Sequence, residues 1–229
     1  MYQGVLLSKS LKTVKSDGAG LGFLTKILYL APSRLSGYNV CPHASTGCAA
    51  ACLNRSGNGY YPVVQKARVQ KTLMYFQERE KFLQQLISEI QKFVIHCAKR
   101  GQRPAIRLNG TSDISWEKIC PLIFTLFPNV QFYDYTKNYK RMIKFCDGDF
   151  PSNYHLTFSR SESNQKEVED ILSRGGNVSV VFFNSFPKTW KRKKVHNGDL
   201  HDLRFLDKKG VIGLKAKGVG RSDNSGFVI

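Results

Sequence analysis

Two hydrophobic periodicities alternate along the chain. Leu83, Leu86, Ile87, Ile90, Phe93, Val94 and Cys97 recur at three- and four-residue spacing between Lys, Gln and Glu, which is the signature of an amphipathic helix. That pattern predicts one long helix over 62–100, ended near Gly101. Short apolar runs flank it. Residues 25–32 read as a first strand stopped by Pro32, and 104–109, 129–136, 154–159, 177–183 and 210–216 as five more. Shorter helices are predicted over 115–127, 139–145 and 164–174, the last terminated by Gly175-Gly176.

This order argues for an α/β fold of parallel strands joined by right-handed helical crossovers. Side-chain alternation narrows the choice. Ile106 and Leu108 oppose Arg107 and Asn109, Leu156 and Phe158 oppose His155, Thr157 and Ser159, and Ile212 and Leu214 oppose Gly213 and Lys215. A doubly wound sheet is apolar on both faces, whereas one apolar and one polar face suits a barrel wall around a filled polar lumen. Strands three and five depart from the pattern, since Phe132 shares a face with Asp134 and the fifth strand is apolar throughout. The expected architecture is a single α/β domain over 1–229, a partial (β/α)6 TIM-like barrel with parallel strands. Residues 1–24 are expected to be a mobile N-terminal arm, 25–61 the first strand and a cysteine loop, and 184–209 a long basic connection. The arm ends in Asp17-Gly18-Ala19-Gly20-Leu21-Gly22, which lacks the Gly-Lys-Ser/Thr ending of a phosphate-binding loop.

Charge adds a partner class. The net charge of +18 over 229 residues creates an attractive field for polyanions, so nucleic acid is an expected partner. The excess is concentrated in Lys188, Lys191, Arg192, Lys193, Lys194, Arg204, Lys208, Lys209, Lys215, Lys217 and Arg221, against Asp199, Asp202 and Asp207. The alternative is an ordinary solvated face. The first residues lack a secretion-signal pattern and no apolar run is long enough to cross a bilayer, so a cytoplasmic protein with reduced thiols is expected.

Chemistry concentrates in the loop after the first strand, Cys41-Pro42-His43-Ala44-Ser45-Thr46-Gly47-Cys48-Ala49-Ala50-Ala51-Cys52. Three thiols separated by small residues can face a common centre. A soft, thiolate-only donor set points to a [4Fe-4S] cluster, with zinc or unmetallated core or redox thiols as alternatives. Three ligands are one fewer than a closed site uses, which leaves one iron open. Cys97 and Cys120 fall on apolar helix stripes and read as core. Cys146 also reads as core, but is the one cysteine to consider as a fourth ligand. In a parallel sheet every loop after a strand lies at the same rim. Asn109, Asp113, Ser159, Arg160 and Glu162 would therefore share that rim with the cysteines and position a ligand of the open iron. Asp113, Arg160 and Glu162 are the catalytic candidates if the protein is an enzyme. Capping is the alternative role for Asp113, and mutual pairing for Arg160 and Glu162.

A three-cysteine loop after strand one of a partial six-stranded (β/α) barrel resembles the radical S-adenosylmethionine (SAM) enzyme core, in which SAM occupies the free iron. The gaps between cysteines here are six and three residues, where that family has three and two. Asn109-Gly110-Thr111-Ser112-Asp113 stands where that family carries Gly-Gly-Glu to hold the methionine amine. More narrowly, the chain resembles an uncharacterised group of phage and prophage proteins with Cys-Pro-x-x-Ser-x-Gly-Cys-x-x-x-Cys-Leu. Downstream segments such as Arg107-Leu108-Asn109-Gly110-Thr111-Ser112-Asp113-Ile114 and Leu156-Thr157-Phe158-Ser159-Arg160-Ser161-Glu162 extend the likeness. That resemblance implies a viral origin and a site of action in the host cytoplasm, and it supplies no reaction.

Overall fold

A computed structural model describes residues 2–229. Its strands among the described residues are β1 (Leu7–Ser8), β2 (Phe23–Leu28), β3 (Arg103–Arg107), β4 (Gln131–Thr136), β5 (Tyr154–Ser159), β6 (Val178–Phe182), β7 (Thr189–Trp190), β8 (Lys193–Asn197) and β9 (Val211–Lys215). They form one sheet in the order β1-β2-β3-β4-β5-β6-β9-β8-β7. From β2 through β9 to β8 all neighbours are parallel, while β1 and β7 are added antiparallel at the two edges. Helices alternate with the strands, as the two periodicities require. The sheet ends in β1 and β7, which do not pair with each other. What stands of the expected architecture is a mostly parallel α/β sheet.

The apolar face is covered by α3 (Pro62–Gln77), α4 (Arg79–Ala98), α5 (Trp116–Ile119), α6 (Leu122–Leu126), α7 (Tyr139–Cys146) and α8 (Gln165–Ser173). Ile106, Leu108, Phe132, Leu156, Phe158, Val178 and Val180 pack there against Phe82, Leu86, Trp116, Phe124, Met142 and Val168, all buried. Cys97 and Cys120 are buried in this layer, as their stripes imply. The predicted helix over 62–100 is broken at Glu78 (φ −132°, ψ 50°), where no Gly or Pro announces a bend. Arg79 Nε donates to the Tyr75 carbonyl at 2.8 Å across the break, so both halves can lay their apolar sides on the sheet. The helix predicted over 115–127 is also split. Cys120 precedes Pro121, whose ring disfavours helical backbone in the residue before it, and Cys120 adopts φ −149°.

The polar face is where the sequence expectation needed most correction. Of the expected arm over 1–24, Met1 lies outside the described residues, and the rest is built into the fold: Leu7 and Ser8 extend the sheet, and α1 (Leu11–Gly18) folds back along β2. A reciprocal cap starts α1, with the Ser10 hydroxyl accepting from Thr13 N–H and the Thr13 hydroxyl accepting from Ser10 N–H. The basic connection over 184–209 carries structure of its own. It contributes the β7–β8 hairpin and then turns back across the sheet, where Leu203 and Phe205 pack on Phe23, Ala105 and Tyr133. Arg204 is fully buried, so it is a structural residue and not part of a polyanion surface.

Charge fills this interior in balanced form. The Asp202 carboxylate lies 3.4 Å from Lys12 Nζ, 3.4 Å from Arg107 Nη1 and 3.3 Å from the Tyr133 hydroxyl, while Arg204 Nε is 3.2 Å from Asp207. Burial would raise the Asp202 pKa, but Lys12, Arg107 and Arg204 hold it below the usual carboxylate range. Asp202→Asn leaves those cations buried without their counterion and should destabilise the fold by about 3–5 kcal/mol at neutral pH in urea unfolding. Because the folded pKa is depressed, the stabilisation is complete above the unfolded value of ~3.9 and is lost as pH falls below it. The gap between wild type and variant should therefore close under acid; a gap below about 1 kcal/mol at pH 7 would contradict this account of the interior.

Candidate metal centre

Because the central strands are parallel, their carboxyl ends deliver one rim of loops. A cavity of about 250 Å³ opens there, lined by Cys41, Cys48 and Cys52 together with Asn109, Asp113, Lys137 and Ser159, and by Arg107, Asp199 and Asp202 deeper in. The structure thus brings the three predicted cysteines together with three of the predicted ligand-positioning residues. Arg160 and Glu162 stand just behind the wall.

Each cysteine is held by local backbone chemistry. Cys41 Sγ lies 3.5 Å from the Thr111 carbonyl, and Asp113 N–H donates at 2.8 Å to the Val40 carbonyl, which pins the loop's first cysteine to the segment after β3. Cys48 sits in the short helix α2 (Thr46–Ala50), capped by the Ser45 hydroxyl. Cys52 Sγ accepts from Asn54 N–H at 3.5 Å, in a turn that Gln65 and Arg68 of α3 grip through Asn54. All six cysteines are free thiols. Burial pushes the Cys41 thiol up to about 12, and the neighbouring Cys52 and Cys48 add to the shift. Burial raises Cys52 as well, with Asn54 N–H, Arg68 and Lys137 opposing. Burial thus disfavours the thiolate form of Cys41 and Cys52 as free groups.

The remaining predicted residues take roles the sequence did not show. Asn109 is 2% exposed and uses its whole amide internally: Oδ1 accepts from Ser112, Ile114 N–H and Trp116 Nε1, and Nδ2 donates to Ile114 and Asp134. Asp113 accepts from the Thr136 hydroxyl at 2.8 Å and Lys137 N–H at 2.9 Å, with Arg141 Nη1 3.5 Å away. Arg141 in turn grips Glu117 with two nitrogens. Ser159 accepts from Lys137 Nζ at 2.9 Å. Arg160 and Glu162 do not form an ion pair with each other. Arg160 donates to the Gly226 and Phe227 carbonyls, while Glu162 accepts from the Ser45 hydroxyl and Gly47 N–H, both at 2.8 Å. Cys146 and the exposed His43 lie outside the cavity wall, so neither is placed as a fourth ligand.

Lys137, which the strand order places on the same rim at the end of β4, lines the cavity with the cysteines. Sequence reasoning missed Phe227 and Val228. Phe227 and Val228 close one side of the cavity against Cys48, Ala51 and Val181. Their signal was the apolar Phe-Val-Ile ending after a polar run. The approach there is so close that a Cβ on Gly47 would meet Phe227 Cβ at 2.7 Å and Glu162 Oε2 at 2.9 Å. Among the described residues, no group of three or more His, Cys, Asp or Glu side chains is gathered so as to hold a metal ion. The three thiols share a wall without converging on one point.

Comparison with known proteins supplies a family and no chemistry. The chain matches the model of the Gene product 88 family over residues 5–229, and it belongs to that family, in keeping with the uncharacterised phage group it resembles. No curated protein and no solved structure matches it. No helix is long and apolar enough to cross a membrane among the described residues.

The two bonds to Glu162 generate a direct test. Glu162→Ala releases the start of α2, and hydrogen bonds to a charged acceptor contribute about 1.5–3 kcal/mol, so native-state labelling of Cys48 by a small maleimide should accelerate about tenfold or more. Glu169→Ala, at an exposed site, serves as control. Equal rates in the two variants would contradict the anchoring role.

Proposed function

We propose that this Gene product 88 family protein is an iron-sulfur protein in which Cys41, Cys48 and Cys52 hold one [4Fe-4S] cluster, with its fourth iron open to the cavity. One observation carries the reading: three thiols from a single loop line the same cavity at the carboxyl rim of the parallel strands. The donors fit the group. They are soft and uniform, the carboxylate of Asp113 is already hydrogen-bonded to Thr136 and Lys137 N–H, and a cluster has the extent to meet thiols that do not converge on one ion. We also read the open sheet as a partial (β/α)6 barrel, with α1 and the Leu203–Phe205 segment as its filling.

When bound, such a cluster supplies one-electron chemistry and a Lewis-acidic iron. The chain's own residues shape the rest. Cys41 and Cys52 are half-buried on the cavity wall, and the Lys137 ammonium, fixed on Ser159, places positive charge beside the thiolates. Arg160 and Glu162 act as positioning residues for the tail and the cysteine helix. A radical-SAM-like reaction is the enzymatic form of this reading, with SAM as a ligand of the open iron. A simpler redox or ligand-binding centre is the reading we prefer, because Asn109 Oδ1 already accepts three hydrogen bonds and Asp113 is engaged by Thr136 and Lys137 N–H. A second reading adds nucleic acid as a partner. It is supported by the basic segment, in which every cation from Lys188 to Arg221 except Arg204 is exposed.

Anaerobically reconstituted protein should be brown and carry about four iron and four sulfide per chain. Cys48→Ala should lose both. Colourless protein holding one zinc would contradict the proposal. Lys137→Gln removes a cation that favours the more negative, reduced cluster, and should lower the midpoint potential by about 30–60 mV. An unchanged potential would place Lys137 outside the cluster's field.

A further inference from the structure

The exposed cations of the basic segment divide between the two ends of β9. β8 runs parallel to β9 with Val195 opposite Val211, so the residues preceding Lys193 and those preceding Val211 lie at the same amino-terminal end. That end carries Lys191, Arg192, Lys193 and Lys194 of the hairpin and Lys208 and Lys209 of the loop entering β9, all exposed. His196 Nε2 stands 3.3 Å from the Lys209 carbonyl and joins the two segments. Lys215 and Lys217 lie at the other end, on the cysteine rim. No acidic residue occurs between Asp170 and Asp199. The hairpin's ion pair among the described residues is Lys191 with Glu169, at 3.1 Å.

The turn itself is unusual. Thr189 pairs with Lys194 and Trp190 with Lys193, which leaves Lys191 and Arg192 as a two-residue loop with φ of 48° and 59°. That is the left-handed geometry of a type I′ turn, in which Asn-Gly is favoured because a Cβ is strained there. Here both positions carry long cations. Strain of this kind persists where the surroundings fix it and clusters at functional sites. The result is a two-stranded ribbon anchored by Trp190 against the core and tipped by four successive cations.

We propose that this hairpin is a docking element for duplex nucleic acid, its tip entering a groove and its cations, with Lys208 and Lys209, contacting phosphates. The inference rests on the nucleic-acid reading and assigns it to one surface. A two-stranded ribbon fits the major groove, which is about 12 Å wide. The run from 191 to 194 offers no apolar side chain to a lipid surface. A duplex held there lies at the opposite end of the sheet from the cysteine cavity, so docking and cofactor chemistry occupy separate faces.

Fluorescence anisotropy with a duplex of arbitrary sequence tests this on the full chain. Binding at about 50 mM salt should weaken steeply with salt, with a log–log slope of about −5 for six phosphate contacts. Arg192→Glu with Lys193→Glu should weaken binding about thirtyfold or more, while Lys118→Glu with Lys140→Glu, an equal change of charge elsewhere, should stay within about threefold. Lys191→Asn with Arg192→Gly relaxes the turn, so it should raise the melting temperature while weakening the duplex complex about tenfold. Equal losses in the two charge-reversed pairs would overturn the hairpin assignment and leave a general polyanion surface standing. Absence of binding to duplex and to single-stranded RNA would overturn both. Tighter binding to phosphatidylserine vesicles than to duplex would assign the tip to a lipid surface and also overturn it.

Discussion

The cysteine loop is fixed at two points by segments from two different strands, and the geometry of the site depends on this double anchorage. Beside Cys41, Asp113 N–H bonds the Val40 carbonyl; just before Cys48, the Glu162 carboxylate takes the Ser45 hydroxyl and Gly47 N–H. One anchor belongs to the loop after β3 and the other to the loop after β5. The loop can hold its three thiols on one wall only if those strands are in register, which the parallel pairing through β4 ensures. Sheet register and thiol placement are therefore one constraint. Polar residues around the rim, Asn109 and Asp113 above all, serve that constraint with bonds to their own neighbourhood.

The interior follows from the same layout. A sheet with one polar face has to satisfy that face, and here α1 and the segment after the hairpin supply both apolar cover and balanced charge around Asp202. This explains why so basic a protein buries Arg107 and Arg204. Within the basic segment it also separates the charges, because Lys191 to Lys194 with Lys208 and Lys209 are exposed at one end of β9 and Lys215 and Lys217 at the other.

Much of this was legible in the sequence because period-2 and period-3.6 patterns report burial directly. Strands such as 154–159 and the helix over residue 139 onward stand where their alternation places them, and the cysteines share a rim because parallel strands leave no other arrangement. What was not legible depends on partners distant in sequence. The break at Glu78 has no local breaker, α1 is capped by Ser10 and Thr13 but held by β2 and by Asp199 and Asp202, and Arg204 looks like any surface arginine until Asp207 and the Gly198 carbonyl surround it. Proximity in the chain offers Glu162 and Arg160 as a mutual pair or as ligand-holding residues, whereas each bonds a segment more than sixty residues away.

The central claim is that three cysteines hold a cubane with one distinguishable iron. Mössbauer spectroscopy of protein reconstituted with ⁵⁷Fe tests it most directly. The account predicts cluster iron in a ratio of about three to one, with the minor component alone shifting when a small ligand such as cyanide is added. A spectrum of mononuclear iron only, or four equivalent irons indifferent to added ligand, would contradict it.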